Sequence, residues 1–402
     1  MISREEALET VIGALAPSSP VWARPAAALG AVLAEDVRCD IDMPPFSRSA
    51  MDGYAVAGEG DDLEPLPEIP AGSLGGPVVP GQAAPIMTGA PVPEGADRVV
   101  MVEHTRIEDG RVRIERMPPS GANICRRGED ITEGQLVLSA GSVLTPNRIG
   151  IAAMAGRELL PVRPRPRVGL LTTGSEVVSA GSVPGPGQVR NANLPMMQAL
   201  LAGAPADVAA ALHSADDPDS LRSCLGQLIS SCDVVVAAGG VSMGTRDYVP
   251  GVLDELGVEL AFRRVAQKPG KPLTFGRAAD GTCVFGMPGN PVSVLVSMEE
   301  YLVPALRRAA GHSACRKHDL TGRAGFEHRR KPGRDELLRV RAVRGAKGWE
   351  LELPGSSGSG DLMSTADTNA LAVVGGDLLK VTPGCGLTFH LHSFHAGEAA
   401  FR

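Results

Sequence analysis

A chain of 402 residues exceeds what one hydrophobic core usually serves, so two to four domains are expected. Apolar residues make up 43% of it but aromatic rings only 3%, which excludes base stacking on nucleic acid as a main function and leaves burial to Ala, Val, Leu and Ile. A formal charge of −7 offers no long-range attraction to polyanions, so an anionic substrate has to be met by local basic groups and backbone amides.

Ser3 and Glu6 stand at capping-box spacing, and Leu8, Val11, Ile12 and Leu15 repeat at helical period, so the chain opens on an amphipathic helix that Pro17 to Pro20 ends. The acidic start Met1-Ile2-Ser3-Arg4-Glu5-Glu6 lacks the basic and apolar parts of a signal peptide, and no apolar run reaches about 18 residues. With seven scattered cysteines and no Cys-x-x-Cys pair, reduced thiols and a cytoplasmic, soluble protein are expected, with no membrane and no nucleic acid as partner. From 42 to 140 the pattern becomes short apolar alternations cut by Gly and Pro, such as Val99-Val100-Met101-Val102 and Arg111-Val112-Arg113-Ile114, which predicts a small β domain. Residues 1–41 and 141–163 form a helical and linker region around it, in which Thr145-Pro146 starts a helix and Gly156 stops it. Arg163-Pro164-Arg165-Pro166 reads as a stiff connection.

From 164 to 311 the rhythm is strand, loop, helix. Val168 to Leu171, a segment near Val208, Asp233 to Val236 and Cys283 to Phe285 read as strands, and the stretches around Leu194 to Leu201 and Leu221 to Ile229 as helices. That alternation predicts a parallel sheet covered by helices, with ligands beyond the carboxyl ends of its strands. Residues 318–402 return to short β alternation, as in Leu337-Leu338-Arg339-Val340-Arg341, and predict a C-terminal β domain.

Three loops of the α/β region suit a phosphate or oxyanion. Gly239-Gly240-Val241-Ser242-Met243-Gly244 lets backbone N–H groups approach a ligand closely, although it has neither Walker A nor Gly-x-Gly-x-x-Gly spacing. Gln267-Lys268-Pro269-Gly270-Lys271-Pro272 puts two ammonium groups on a stiff turn just after Arg263 and Arg264. Gly286-Met287-Pro288-Gly289-Asn290-Pro291 opens a helix with Asn290 as N-cap. One such loop is an ordinary turn; three at successive strand ends point to a phosphate-bearing ligand. Glu176, in Leu171-Thr172-Thr173-Gly174-Ser175-Glu176, and Asp247 also follow strand ends and read as Mg²⁺ ligands, whereas Asp216 and Asp217 read equally as ligands or as helix caps. His390, His392 and His395 have no Cys or carboxylate at ligand spacing and read as surface histidines. Gly355-Ser356-Ser357-Gly358-Ser359-Gly360 is by composition a flexible linker, with hydroxyls and amides that would also suit an oxyanion.

Met43-Pro44-Pro45-Phe46-Ser47-Arg48-Ser49-Ala50-Met51-Asp52-Gly53-Tyr54-Ala55-Val56 and Ile86-Met87-Thr88-Gly89-Ala90-Pro91-Val92-Pro93, followed in order by the three loops above, resemble the signatures of the MoeA family, which is related to the C-terminal part of gephyrin. The resemblance runs across essentially the whole chain. It implies a molybdopterin molybdenumtransferase that inserts molybdate into adenylylated molybdopterin with release of AMP, using Mg²⁺. It also implies a molybdopterin-binding α/β domain flanked by a small β domain and a C-terminal β barrel, in a homodimer whose active site is shared between subunits. Asp52 and Thr88 would come from one chain, and Glu176, Asp217, Asp247, Arg264 and Lys268 from the other; Arg339 and Ser359 stand where C-terminal residues approach the cleft. The chain departs from the family at Ser47 and Ser175, where Asp is usual, at Thr245, often an acid, and at Arg264, where Lys is common. Two other readings share the fold: a gephyrin-like scaffold, which would not need the acids and Lys268, and a secondary paralogue handling tungstate.

Overall fold

The computed structural model describes residues 1–241, 248–355 and 358–401. The opening helix runs Arg4–Ala14; Ser3 accepts from the Glu6 backbone and the Glu6 side chain accepts from the Ser3 backbone, which closes the expected capping box. Its buried face, Ala7, Leu8 and Val11, packs into the same core as Val168, Tyr301 and Leu306, far along the chain.

The two linker segments meet in a three-stranded antiparallel sheet in which Leu160–Arg163 lies between Val21–Ala23 and Val32–Leu33. The Pro146–Met154 helix, capped by Thr145 as expected, covers it around Leu33, Leu144 and Leu160. Beyond this region a six-stranded sheet runs in the order Arg98–Met101, Gly53–Val56, Gln82–Ile86, Asp62–Pro65, Arg111–Ile114, Thr105–Glu108. It buries apolar side chains on both faces, Ala55 and Val99 on one, Val56 and Val100 on the other, following strand alternation.

The α/β region holds a second six-stranded sheet, ordered Asp207–Ser214, Arg167–Thr173, Val234–Ala238, Cys283–Met287, Thr274–Arg277, Glu259–Phe262. The first four strands are parallel, and Val234–Ala238 and Cys283–Met287 are buried at every position, as strands covered on both faces must be. The last two pairings are antiparallel, so Thr274–Arg277 alone runs against the other five strands of an otherwise parallel sheet, as expected for the region as a whole. The connection from Arg277 to Cys283 is a tight turn, far too short for a crossover helix, so only a hairpin fits. One helix layer contains Asn193–Ala202 and the long segment from Pro291 to Ala309; the other contains Pro218–Ser231 and Val249–Glu255. Gly169 lets the second layer close in, since a Cβ there would lie 2.9 Å from the Leu228 side chain.

The C-terminal strands close a barrel. Asp335–Gly345, Gly348–Glu352, Leu320–Ala324, Gly386–Leu391 and Ala370–Val374 pair in turn, and Ala370–Val374 pairs back onto Asp335–Gly345 around Val340, Ala372 and Phe389. Here the histidine expectation fails: His390 and His392 are 4% and 1% exposed. His390 lies between Glu300 and Asp319, and His392 stacks on Phe394. The acids that satisfy His390 come from other elements, so a rule based on local spacing could not find them. Among the described residues no group of three or more His, Cys, Asp or Glu side chains is placed to hold a metal, and no helix is long and apolar enough to cross a membrane. All seven cysteines are free.

Candidate active site

A cleft of about 1290 Å³ opens between the α/β sheet and the barrel. Its floor is built from the carboxyl ends of all four parallel strands: Thr172 to Glu176, Asp216, Gly239 to Val241, and Pro288 to Asn290. The turn from Gln267 to Pro272 forms one wall, and barrel residues, among them His328, Arg334, Glu336 to Arg339, Leu353 to Gly355 and Gly358 to Gly360, form the other.

Of the residues expected to bind substrate, Gly239, Gly240, Lys268, Lys271, Pro288, Gly289, Asn290, Arg339 and Ser359 line this cleft, as does Glu176. Ser242, Gly244 and Asp247 lie outside the described residues. Gly239 and Gly240 have φ of 105° and 65°, and a Cβ on Gly239 would come within 2.5 Å of the Thr173 hydroxyl, so the turn admits no side chain. That hydroxyl is buried without a hydrogen-bond partner among the described residues.

Asn290 occupies the N-cap position of the Pro291–Ser297 helix but does not cap it. Its amide instead donates to Ser359 Oγ at 2.9 Å, and the Ser359 carbonyl accepts from Val292 N at 3.3 Å. This end of the Gly-Ser run is therefore tied to the cleft rather than free as a linker; Ser356 and Ser357 are outside the described residues. Asp216 and Asp217 separate in role. Asp217 accepts from Ser220 N at 2.8 Å and caps the Pro218–Ser231 helix, whereas Asp216 lines the cleft. Asp216 Oδ2 accepts from Ser175 N at 3.2 Å and Ser175 Oγ accepts from Asp216 N at 3.1 Å, so the serine that replaces an expected acid joins the Glu176 loop to its neighbour.

Asp52 and Thr88 do not line this cleft. They form an exposed pair on the small β domain, with Thr88 N and Oγ1 each donating to Asp52 Oδ1 at 2.7 Å. Those two bonds, the backbone one first, hold the Asp52 carboxyl below the usual carboxylate range. Arg264 also stays off the cleft, where its carbonyl accepts from Ile2 N.

Several lining residues escaped the sequence reading. Asn191 donates to Thr172 Oγ1 at 2.8 Å and caps the turn before the Asn193–Ala202 helix through Leu194 N. Asn193 donates to the Gly289 carbonyl at 2.8 Å. The Asn-x-Asn preceding a helical run was the available signal. Arg190, Arg334, Glu336 and His328 carried no local signal, because the fold brings them in from separate segments. Arg339 is half-buried; burial pulls its guanidinium below its ordinary value, against the pull of Asp361 and Glu336, and its Nε has no hydrogen-bond partner among the described residues. The described lining carries five basic side chains (Arg190, Lys268, Lys271, Arg334, Arg339) against three carboxylates (Glu176, Asp216, Glu336), a cationic surplus in a chain of net charge −7. Such a site attracts an anion that the protein as a whole would repel.

The comparisons agree with this architecture. The MoeA N-terminal region (domain I and II) matches residues 2–156, a probable molybdopterin binding domain matches 169–308, and the MoeA C-terminal region (domain IV) matches 321–389. Molybdopterin molybdenumtransferase 2 of Mycobacterium tuberculosis is 40% identical over 71% of this chain and 74% of its own length. The molybdopterin molybdenumtransferase of Nostoc sp. is 34% identical over 87% of this chain and 83% of its own. The crystal structure of the molybdopterin biosynthesis MoeA protein from Pyrococcus horikosii superimposes with a TM-score of 0.81 at 28% identity, covering 97% of this chain and 99% of that one. The chain belongs to the MoeA family of molybdopterin molybdenumtransferases.

Proposed function

We propose that this cleft gathers adenylylated molybdopterin and molybdate, and that the chain inserts the metal into the pterin dithiolene with release of AMP, the transferase step of molybdenum-cofactor biosynthesis. The cationic surplus at the ends of four parallel strands carries this reading. Molybdate is a tetrahedral dianion and the adenylylated pterin contains a pyrophosphate, so both need closely spaced positive groups and free amides. Lys268, Lys271 and Arg339 supply the charges, and the Gly239-Gly240 turn allows backbone amides to approach. Holding the oxyanion beside the dithiolene while the phosphoanhydride is cut turns an encounter of two anions into an intramolecular exchange.

Mg²⁺ takes one or two carboxylates and completes its shell with substrate oxygens and water. Glu176 and Asp216 face the cleft from loops after two paired strands, a donor set that fits a magnesium bound together with its substrate. When bound, it would offset phosphate charge as the anhydride breaks. Asp247, the other expected ligand, lies outside the described residues. Asp52 and Thr88, exposed and away from this cleft, fit a homodimer in which they complete the cleft of the partner subunit. The proposed setting is the cytoplasm, with neither membrane nor nucleic acid as partner.

The test is to incubate the protein with adenylylated molybdopterin and Mg²⁺, adding molybdate or tungstate in separate arms, and to follow AMP. Magnesium-dependent release with molybdate is expected; release with tungstate alone would reassign the oxyanion, and none with either would reject the reading.

A further inference from the structure

Lys268 is 62% exposed on a turn, where an unrestrained lysine would sample many rotamers. Its backbone, however, pairs with a barrel strand. Gln267 and Lys268 form a short parallel ladder with Asp335 and Glu336, so Lys268 and Glu336 are register partners although they lie far apart in sequence. Asp335 N donates to the Ala266 carbonyl at 3.0 Å and extends the seam. The Glu336 carboxylate is 7% exposed. It accepts from Lys268 Nζ at 2.7 Å through one oxygen and is 2.9 Å from His328 Nε2 through the other, with Arg330 Nε at 3.8 Å. Burial pushes the Glu336 carboxyl up, but the bonds from Lys268 and His328 outweigh it and leave the group below the usual carboxylate range. Lys268, Glu336 and His328 all face the cleft.

We infer that Glu336 is a positioning residue for Lys268: the barrel holds the ammonium at the cleft wall, one donor spent on the carboxylate and two left for ligand oxygens, with His328 anchoring the carboxylate from its far side. An ammonium has three donors and no acceptor, so the pairing restrains it without exhausting it. A side chain already restrained loses less freedom when an anion arrives. The barrel thereby contributes to a contact whose lysine belongs to the α/β region. The binding half of this inference rests on the phosphate-site reading of the cleft; the restraint of Lys268 does not.

Two measurements on the full chain separate those halves. The sequence has six lysines, so ¹³C-labelled lysine gives a resolvable spectrum in which Lys268 is the signal lost in Lys268→Ala. Without ligand, the two ε-methylene protons of Lys268 are expected to have distinct shifts in the parent and to merge in Glu336→Gln. An unmerged pair in that variant overturns the inference. Calorimetry with inorganic pyrophosphate then tests the coupling. Lys268→Ala and Glu336→Gln should each weaken binding by about tenfold, and the double variant should bind no worse than Lys268→Ala alone. Additive losses would make Glu336 a domain staple that acts independently of Lys268, which also overturns it. If pyrophosphate does not bind the parent, the phosphate reading of the cleft fails while the lysine spectrum still decides the restraint. Should Glu336→Gln fail to fold, Glu336→Asp withdraws the same charge by one methylene, and the Lys268 splitting is expected to shrink; an unchanged splitting overturns the inference.

Discussion

Removing the Glu300 carboxylate should loosen the attachment of the barrel to the α/β region. Glu300 sits in the π-helical turn Met298–Leu302, is 3% exposed, and accepts from His390 Nδ1 at 2.9 Å and from Arg4 Nη1 at 3.3 Å. It therefore joins the opening helix, the long helix beside the cleft and a barrel strand. Glu300→Ala leaves His390 and Arg4 facing a buried gap, and breaking a buried pair in this way costs about 3–5 kcal/mol. The titration behaviour gives a second route to the size. Burial pushes the Glu300 carboxyl up, but His390, Arg4 and Lys317 outweigh it and bring it down to about 2 from 4.5. At 1.36 kcal/mol per unit that shift is worth about 3 kcal/mol, present above pH 4.5 and lost as the pH falls toward 2. His390 works in the opposite sense: burial pulls it down, Glu300 pulls it up, and the net shift is upward. Its contribution is complete below 6.5 and lost as the pH rises through its raised value. Stability from the pair should thus be greatest between about pH 4.5 and 6.5. Trp349, edge-on to Phe389 in the barrel core, is the reporter, in a Trp22→Phe background that silences the other indole. Urea unfolding at pH 6 should show the barrel transition weakened by about 3–5 kcal/mol and its pH dependence flattened in the variant. A loss below about 1 kcal/mol, or an unchanged pH profile, would refute the reasoning.

Gly239→Ala should lower thermal stability and abolish AMP release together, because a left-handed backbone with a Cβ costs about 1–2 kcal/mol before the approach to Thr173 is counted; normal turnover would contradict the cradle. Asp217→Ala should cost about 1 kcal/mol as a lost cap and leave magnesium dependence alone, whereas Asp216→Asn should raise the magnesium needed for half-maximal turnover. The reverse pattern in a magnesium titration would exchange their roles. Asp52→Asn and Asp247→Asn should each be nearly inactive, and unfolding and refolding them together should restore about a quarter of the parental activity per cleft, since about half the dimers are mixed and each mixed dimer has one unlesioned site. No recovery after verified mixing would place both acids in one chain's cleft.

What was legible in the sequence is what local chemistry determines. The caps at Ser3 and Thr145 are written within four residues, and the alternation of apolar strands with helical stretches was enough to place the Gly239, Lys268 and Gly289 loops at one end of a sheet. Asp217 showed the limit of this reading: cap and ligand use the same residue type before the same helix start, and only Asp216 turns toward the cleft. The reversed strand Thr274–Arg277 was hidden because a short buried strand reads the same in either direction. His390 and Glu336 were illegible for one shared reason. Each is held by partners from distant segments, Glu300 and Asp319 for the histidine and Lys268 for the acid, and no short window of sequence contains both sides of those pairs. Asn290 was misread because its side chain turns to donate across the cleft to Ser359 and accepts nothing from its own helix.

The central claim is that the cleft transfers a metal rather than merely hydrolysing an anhydride. Its most direct test measures, in one reaction with adenylylated molybdopterin, magnesium and molybdate, both the AMP released and the molybdenum retained by the purified pterin product. The account predicts one molybdenum for each AMP and loss of both in Gly239→Ala. AMP released at the same rate without molybdate, leaving a metal-free pterin, would contradict it.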